Sequence, residues 1–482
     1  MRTLSFYISI FLLFSLSLAS AQEELSKDTV EFSQPLPQSP FSVIDGNKDL
    51  HLFFIQKNNL VQLQYDANYH LAIHKIHRRP VAPFNHLTGY SLEEKDKINL
   101  YFSDKKNRRF FVKTLQSGKT LTEKKFDLKI KNELFIKAIN HENIFYILTA
   151  VKAKSILKLY RFQADEYQIT TYDLSKKSFF NTRDQRTALA NIFKNVDAPI
   201  IEDEVPSAID ITAEPIKIYP KKNQLLITMD HRDSATRVIQ LNLTEDSSEV
   251  YAHSISTLPF GKTYNIKSNS FLYRNRLYQV IASKELLKLT IKNSMDGTLI
   301  QEYSFTKDTE EIPFKNSAIF QDGSTYSSGV RELAKTKQFL RKVVKGDIGV
   351  VAYEKDNLLQ LQLGGKSEVG GGGGFGAFPV AAGFGSIPLA SAGALSVTFN
   401  PTFFAYDAYS STRSVYFKCL FDINSLEHLP GPTEDNVFDV VFDYAEGLKK
   451  INVETVFRKD DYFIYGYYQR KEKMYRLLRF DP

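Results

Sequence analysis

The sequence predicts an all-β protein built from small antiparallel sheets that repeat along the chain. Residues 98–128 show the unit: short apolar runs at 100–102, 110–112 and 126–128 are separated by the polar turns DKKN and QSGK. These runs are too short and too rich in Phe, Tyr, Val and Ile for ordinary helices. Runs such as LFFI and FYIL are continuous instead of alternating, which indicates strands buried on both faces.

Similar units recur along the chain. Where nothing is inserted, their first central strands begin about fifty residues apart, at Leu52, Ile98 and Ile144 and then at Leu225 and Leu277. A further short apolar run precedes each unit, which gives four strands per unit. The later units are less regular, and the last one lacks an outer strand.

Four-stranded units at this period resemble the blades of β-propellers. One such sheet has two apolar faces, and stacking copies around an axis covers both of them and leaves only short edges. Eight candidate central strands predict a single β-propeller of seven or eight four-stranded blades over residues 41–482, with inserted loops and one or two short helices. We expect residues 41–44 to complete the last blade. Trp-Asp dipeptides, a kelch glycine pair and an Asp-box are absent from the sequence, so the resemblance is one of fold alone.

The N-terminus has the pattern of a secretory signal peptide. Arg2 precedes an apolar run at 4–18, and Ala19-Ser20-Ala21 is a small-residue cleavage site. The run is short for a membrane span. We therefore expect cleavage after Ala21, a flexible leader at 22–40, and an exported protein that is periplasmic or secreted. Cys419 is the single cysteine, so an internal disulfide is excluded and the fold must depend on burial.

Charge and composition indicate a well-packed soluble protein with a basic surface. The net charge is +7, and 13% of the residues are aromatic. Many Lys and Arg fall in turns, without a compact basic motif. Nucleic acid is therefore not expected as a partner.

Two insertions interrupt the repeat before residue 350. The first, at about 175–215, contains a predicted short helix capped by Thr182 and an acidic loop at 200–208. It is either a lid or docking loop, or a surface decoration packed on a blade. The second, at 328–345, is a basic amphipathic segment with Leu333, Phe339, Leu340 and Val343 on one helical face. It either meets an anionic surface or packs its apolar face on the core.

The third insertion, at about 364–406, is the most unusual. Residues 369–406 carry no charge and begin with five glycines, which are not followed by the Lys-Ser/Thr of a phosphate loop. An exposed apolar loop would contact a partner or a membrane surface, whereas a loop folded into the central channel or over one face would be structural. The candidate interaction residues are Gly370, Phe375, Phe378, Phe384, Ile387 and Leu389.

The sequence offers few candidates for chemistry. His70, His74 and His77 do not share one strand face, so we interpret them as surface histidines of an outer strand and not as metal ligands. Asp230-His231-Arg232-Asp233 follows a central strand, and His231 beside Asp230 and Asp233 is the weak candidate for proton transfer. We predict no cofactor and no metal site.

Two functional hypotheses follow. The first is an exported, non-enzymatic propeller that acts as a binding or scaffold module for an envelope or extracellular protein or polysaccharide. The alternative is a hydrolase or lyase that acts on polysaccharide at the mouth of the central channel. An enzyme would bring carboxylates from several blades together at an uncovered mouth, whereas a binding module would show a broader patch.

Overall fold

A computed structural model describes residues 22–37, 39–128, 130–255, 265–322, 330–366, 400–410 and 414–482. The predicted signal peptide at 1–21 lies outside these residues. The same holds for the candidate interaction loop, Gly370, Phe375, Phe378, Phe384, Ile387 and Leu389.

The described residues form short strands and a few short helices. The strands are β1 (Gln22–Thr29), β2 (Phe41–Ile44), β3 (Leu50–Gln56), β4 (Asn59–Tyr65), β5 (Leu71–Arg78), β6 (His86–Glu93), β7 (Lys97–Ser103), β8 (Arg109–Gln116), β9 (Lys119–Asp127), β10 (Glu133–His141), β11 (Ile144–Val151), β12 (Ile156–Gln163), β13 (Glu166–Asp173), β14 (Ile216–Lys221), β15 (Gln224–Met229), β16 (Ala235–Asn242), β17 (Ser248–Ser254), β18 (Lys267–Tyr273), β19 (Arg276–Ala282), β20 (Leu286–Asn293), β21 (Leu299–Thr306), β22 (Ile319–Gln321), β23 (Arg331–Leu333), β24 (Ile348–Lys355), β25 (Leu358–Lys366), β26 (Ser414–Asp422), β27 (Ile451–Lys459), β28 (Tyr462–Gln469) and β29 (Met474–Phe480). The helices are α1 (Leu189–Phe193), α2 (Ile209–Thr212), α3 (Thr336–Val343), α4 (Pro401–Ser410) and α5 (Val437–Glu446).

These strands make seven antiparallel sheets, which are the blades of a β-propeller. Blades 1 to 5 are four-stranded meanders of consecutive strands: β2–β5, β6–β9, β10–β13, β14–β17 and β18–β21. Blade 6 has five strands in the order β23-β22-β26-β25-β24, and blade 7 has the order β1-β29-β28-β27. The predicted all-β propeller is therefore confirmed, with seven blades.

The strand that closes the ring is not the predicted one. β1 pairs antiparallel with β29, from Gln22 opposite Phe480 to Thr29 opposite Met474, whereas residues 41–44 form the first strand of blade 1. The prediction of a flexible leader is thus wrong for residues 22–29. The strand QEELSKDT is polar because it lies at an exposed outer edge, where backbone hydrogen bonds suffice and no apolar pattern is needed.

One of the eight candidate central strands, the run VYFKCLF at 415–421, belongs to blade 6. VYFKCLF lies in β26, which pairs with β25 on one side and β22 on the other, so it adds a strand to a blade instead of starting one. Cys419, within this strand, is fully buried. The apolar run that follows, VFDVVFDY, forms α5, where Asn436 and Asp439 make a reciprocal capping box.

Aromatic side chains fill the spaces between blades. Between blades 2 and 3 the rings of Tyr101 and Phe145 stack with their centroids 4.8 Å apart. A Cβ atom at Gly89 would lie 2.2 Å from the Phe145 ring, so the close approach of β6 to this ring requires glycine. The burial of both sheet faces, inferred from the continuous apolar runs, is thus seen between neighbouring blades.

The predicted helices occur with different bounds. In the second insertion, α3 buries Phe339, Leu340 and Val343 completely, which confirms the interpretation of a helix packed on the core; Leu333 lies in β23 instead. In the first insertion, α1 has Ala188 at its N-cap, so Thr182 is not the cap.

Phe32 tests the closure of the ring. Its ring lies 5.0 Å from both Phe54 of blade 1 and Tyr468 of blade 7. We expect Phe32→Ala to lower the free energy of unfolding by about 3 kcal/mol, because it opens a cavity between the first and last blades. Chemical denaturation measures the change. Lys27→Ala, at an exposed position of β1, is the control and should change stability by less than about 0.5 kcal/mol; equal effects of the two substitutions would contradict the closure.

Candidate binding site at the channel mouth

The innermost strand of each blade lines a central channel. The sheet orders place β2, β6, β10, β14, β18, β24 and β27 at one edge of their sheets, and neighbours such as β6 and β10 or β27 and β2 contact each other. Backbone hydrogen bonds also join the turns at the ends of adjacent inner strands: Gly46 N donates to Lys95 O (2.6 Å) and Leu92 N to Asn143 O (2.8 Å). We call the end of the channel formed by these turns the upper mouth.

Part of the first insertion lies inside this channel. Ile201 N donates to Ile218 O (2.8 Å) and Ile218 N to Pro199 O (2.9 Å), so the segment runs parallel to β14 of blade 4. Beyond it, Arg458 of blade 7 donates to Asp203 O (3.2 Å) and to Glu204 Oε2 (2.5 Å). Because blades 4 and 7 lie on opposite sides of a seven-membered ring, residues 199–204 must cross the channel. The interpretation of a purely external decoration is therefore wrong for this part of the insertion.

Helix α4 shares the channel with that segment. It contacts β27, α2 and α5. Thr402 Oγ1 donates to Glu202 Oε2 (2.5 Å), and Asn400 Nδ2 donates to Thr455 Oγ1 of β27 (3.1 Å). The end of the third insertion, residues 400–406, is therefore packed in the interior of the ring.

A pocket remains at the upper mouth between blades 5, 6 and 7. Its volume is about 430 Å³, within the range of sites for small ligands. The walls come from the ends of β18, β24 and β27 and the turns after them, from residues 204–206 of the insertion, and from the start of α5. The lining residues are Glu204, Pro206, Tyr273, Arg274, Tyr353, Glu354, Lys355, Asp356, Asn357, Asn436, Val437, Arg458, Asp461, Phe463 and Pro482.

The rim of this pocket is charged and its floor is apolar. Arg274 pairs with Glu354, and Arg458 pairs with Glu204. Lys355 Nζ donates to Asp435 O at 2.7 Å. Tyr353 and Phe463 are almost fully buried beneath these groups. The pocket thus offers paired charges of both signs above an aromatic base.

Three carboxyl groups lie deeper, next to residues 199–204 and α4, which fill the channel and which we call the channel plug. Burial raises the pKa of Glu202, although hydrogen bonding by Thr402 opposes the shift. Burial also raises the pKa of Asp407. For Glu454 of β27, burial together with the nearby Asp407 raises the pKa to about 7, although Tyr465 donates a hydrogen bond to its Oε2 (2.7 Å).

The three candidate proton-transfer residues each bind different partners. Asp230 is buried and accepts from Lys217 Nζ (3.1 Å), Thr236 Oγ1 (2.6 Å) and Ser270 Oγ (2.8 Å), so it ties blade 4 to blade 5. His231 Nε2 donates to the backbone oxygen of Phe180 (2.8 Å). Asp233 accepts from Ser268 Oγ (3.3 Å).

The three histidines of blade 1 also differ in environment. His70 and His74 are exposed, as expected for an outer strand. His77 is buried and bonded to Gln62 Oε1 (2.9 Å), and burial lowers its pKa to about 4, so the expectation of a surface histidine is wrong here. Strand alternation turns His77 inward, away from His74. Among the residues that the structure describes, no group of three His, Cys, Asp or Glu is placed to hold a metal ion.

Comparison with known proteins gives no family. No protein-family model and no curated protein matches the chain. Similar solved structures include the WD40 domain of SCAP from fission yeast (9% identity, 95% of this chain and 98% of that chain, TM-score 0.27) and the Dos1 propeller (11%, 66% and 64%, 0.24). A subtype N10 neuraminidase-like protein of a little yellow-shouldered bat strain is a third (9%, 71% and 94%, 0.24). These scores are low, so the fold is assigned from the sheets of this chain.

Arg458 positions one wall of the pocket. Because its guanidinium holds Asp203 and Glu204, we expect Arg458→Ala to release residues 202–206 and to cost about 1 kcal/mol of stability. Hydrogen–deuterium exchange should become faster in that segment. Arg479→Ala, which removes an arginine of the same blade that contacts Tyr462 and Asp481, is the control. Unchanged exchange at 202–206 in the Arg458 variant would show that another contact positions the wall.

Glu454 gives the stability a pH dependence. Its pKa is about 7 in the folded protein against 4.5 ordinarily, so the folded state binds the proton more tightly. Its stabilising contribution is complete below pH 4.5 and is lost as the pH rises through 7, by up to about 3 kcal/mol. Glu454→Gln should remove this loss and be the more stable protein at pH 8. Thermal unfolding across this pH range measures it, with Glu166→Gln at the exposed start of β13 as the control; parallel pH profiles of wild type and Glu454→Gln would contradict the assignment.

Proposed function

We propose that the protein is an exported, non-enzymatic β-propeller that binds another component of the cell envelope or extracellular space through the upper-mouth pocket. The proposal depends on the pocket between blades 5, 6 and 7, where two arginine–carboxylate pairs surround an apolar floor. Export is proposed from the N-terminal sequence pattern. The partner is a protein or polysaccharide that presents polar groups to this rim.

The state of the rim carboxylates favours binding over catalysis. Hydrolysis of a glycosidic bond needs two carboxyl groups that both reach the substrate, one of them protonated. Glu354 and Glu204 are instead each held by a guanidinium group. Arginine and carboxylate side chains held in this way suit recognition of a polar partner, because they donate and accept hydrogen bonds in fixed directions.

The mouth is also covered in part by the chain itself. Residues 204–206 of the insertion form one wall of the pocket, and α4 lies in the channel. The rim carboxylates come from blade 6, blade 7 and this insertion, and not from three blades around an open entrance. The pocket therefore differs from the uncovered cluster of carboxylates from several blades that an enzyme would need, which favours the binding module.

A binding assay with a pocket variant tests the proposal. We expect purified protein to bind at least one member of an array of envelope polysaccharides and peptides. Asp461→Arg, which adds bulk and reverses a charge at the exposed rim, should weaken this binding by about tenfold or more. Asp246→Arg, at an exposed turn outside the pocket, is the matched control.

Product release is followed in the same samples. The binding module is supported if the ligand binds without release of cleavage products. That binding should be lost in Asp461→Arg and retained in Asp246→Arg. Equal binding by the two variants would contradict the role of the pocket, and release of products would contradict the non-enzymatic function.

A second candidate is a hydrolase or lyase that acts on polysaccharide at the channel mouth. One observation favours it: the pKa of Glu454 is raised to about 7 with Asp407 nearby, as in general acids of this class. Against it, Glu454 is only 4% exposed. Activity that is lost in Glu454→Gln would favour this candidate over the binding module.

A further inference from the structure

The face of the propeller opposite the upper mouth differs strongly from it in charge. The turns between the second and third strands lie at 57–58, 104–108 and 152–155, and the connections after the outer strands lie at 78–85, 127–128 with 130–132, and 173–178. We call the surface that these turns and connections form the lower face of blades 1–3. Because each blade is an antiparallel meander, these turns and connections lie at the same end of the sheets.

Backbone hydrogen bonds fix these elements next to one another. In each blade the connection donates to the turn of the same blade: Arg79 N to Asn58 O, Leu128 N to Arg108 O, and Leu174 N to Ser155 O, all at 2.8 Å. Lys152 N also donates to Asn132 O (2.7 Å), which joins the turn of blade 3 to the connection that precedes it. The lower face of blades 1–3 is therefore a continuous surface of fixed loops.

Exposed cations dominate this surface. The turns carry exposed basic side chains in all three blades: Lys57, then Lys105, Lys106 and Arg108, then Lys152 and Lys154.

The connections extend the same charge. Their exposed cations are Arg78, Lys131, Lys176 and Lys177, while Asp127 and Asp173 are the exposed carboxylates at the described positions of these turns and connections. Like charges collected on one face raise the potential near it and attract an anionic partner.

An apolar side chain projects from the middle of this charge. Val81 is 63% exposed in the connection after β5. The guanidinium of Arg79 holds that connection, since it donates to the backbone oxygens of Lys57 (3.1 Å) and Asn85. A fixed loop therefore presents an exposed valine among lysines and arginines.

We propose that the lower face of blades 1–3 docks on a bilayer that contains anionic lipids. The cations are mostly lysines, spread across several blades, which suits a plane of phosphate groups better than one bidentate ligand. The exposed Val81 adds an apolar contact that the interfacial region of a bilayer accommodates and a soluble polyanion does not. This surface is distinct from the upper-mouth pocket, so the proposal is independent of the function assigned to that pocket.

Vesicle flotation tests the proposal with the full chain. We expect binding to phosphatidylcholine vesicles that contain about a third phosphatidylglycerol, loss of binding on vesicles of phosphatidylcholine alone, and weakening by salt. Reversal of four charges, Lys105→Glu, Lys106→Glu, Lys152→Glu and Lys154→Glu, should weaken binding by about a hundredfold or more. The matched control reverses the exposed Lys48, Lys95, Lys119 and Lys222 near the upper mouth and has the same net charge.

A second variant separates a bilayer from a soluble polyanion. Val81→Ser should weaken vesicle binding by about threefold and leave the retention on a heparin column unchanged. Retention on heparin without vesicle binding would overturn the bilayer in favour of an anionic polymer. Equal vesicle binding by the two four-fold variants would overturn the lower face as the docking surface.

Discussion

Each sheet of this protein has two apolar faces, and the fold depends on covering both of them. Blades 2 to 6 obtain a neighbour on either side from the order of the chain alone, whereas blades 1 and 7 become neighbours only when the ring closes. Blade 7 would lack its outer strand, and it gains that strand from the N-terminus, where β1 pairs with β29. Ion pairs of Glu24 with Arg476 and of Glu31 with Lys473 join the two ends of the described chain at the surface. Backbone hydrogen bonds join β1 to β29. β1 needs few apolar side chains because it lies at an exposed edge of the sheet.

A ring of seven inner strands leaves a channel, and this chain fills it with its own insertions. Residues 199–204 pass from blade 4 to blade 7, and α4 packs beside them against β27. Together they bring the carboxyl groups of Glu202 and Asp407 into the interior. Burial raises the pKa of each of these acids and that of Glu454, which stands against them on β27. The filled channel leaves a pocket on the side of the mouth between blades 5 and 7. Its shape thus depends on where the insertion is held. Arg458 binds the insertion from blade 7, Lys221 pairs with Asp203 from blade 4, and Thr402 donates to Glu202.

The sequence predicts the repeated part of this structure well. Continuous apolar runs at a spacing of about fifty residues are a direct consequence of sheets buried on both faces, so the period and the four-strand unit follow from the residues. The same reasoning does not find β1, since an exposed edge strand needs no apolar residues. The apolar run VFDVVFDY forms the helix α5, whose first turn is capped by Asn436. The sequence left seven or eight blades open, and the described residues form seven because β26 joins a blade that other strands have already begun.

The pocket and the channel plug were beyond the sequence. Glu204, Arg274, Glu354 and Arg458 are distant in the chain, and they meet only because the ring brings blades 5 and 7 to one mouth. A single acidic loop signal at 200–208 pointed to this region, without indicating that it enters the channel. The basic residues of the lower face lie in turns and connections that the meander order places at one end of the blades. Backbone hydrogen bonds hold these turns and connections next to one another.

An engineered disulfide tests the closed ring most directly. Glu23 and Arg479 are opposite each other in the pairing of β1 with β29, and Cys419 is fully buried and does not compete. We expect Glu23→Cys with Arg479→Cys to form an intramolecular disulfide on oxidation and to raise Tm. Glu23→Cys with Glu472→Cys, at the far end of the same pair of strands, should do neither. Cross-linking between molecules only, or equal cross-linking by the two pairs, would contradict a ring closed by the N-terminal strand.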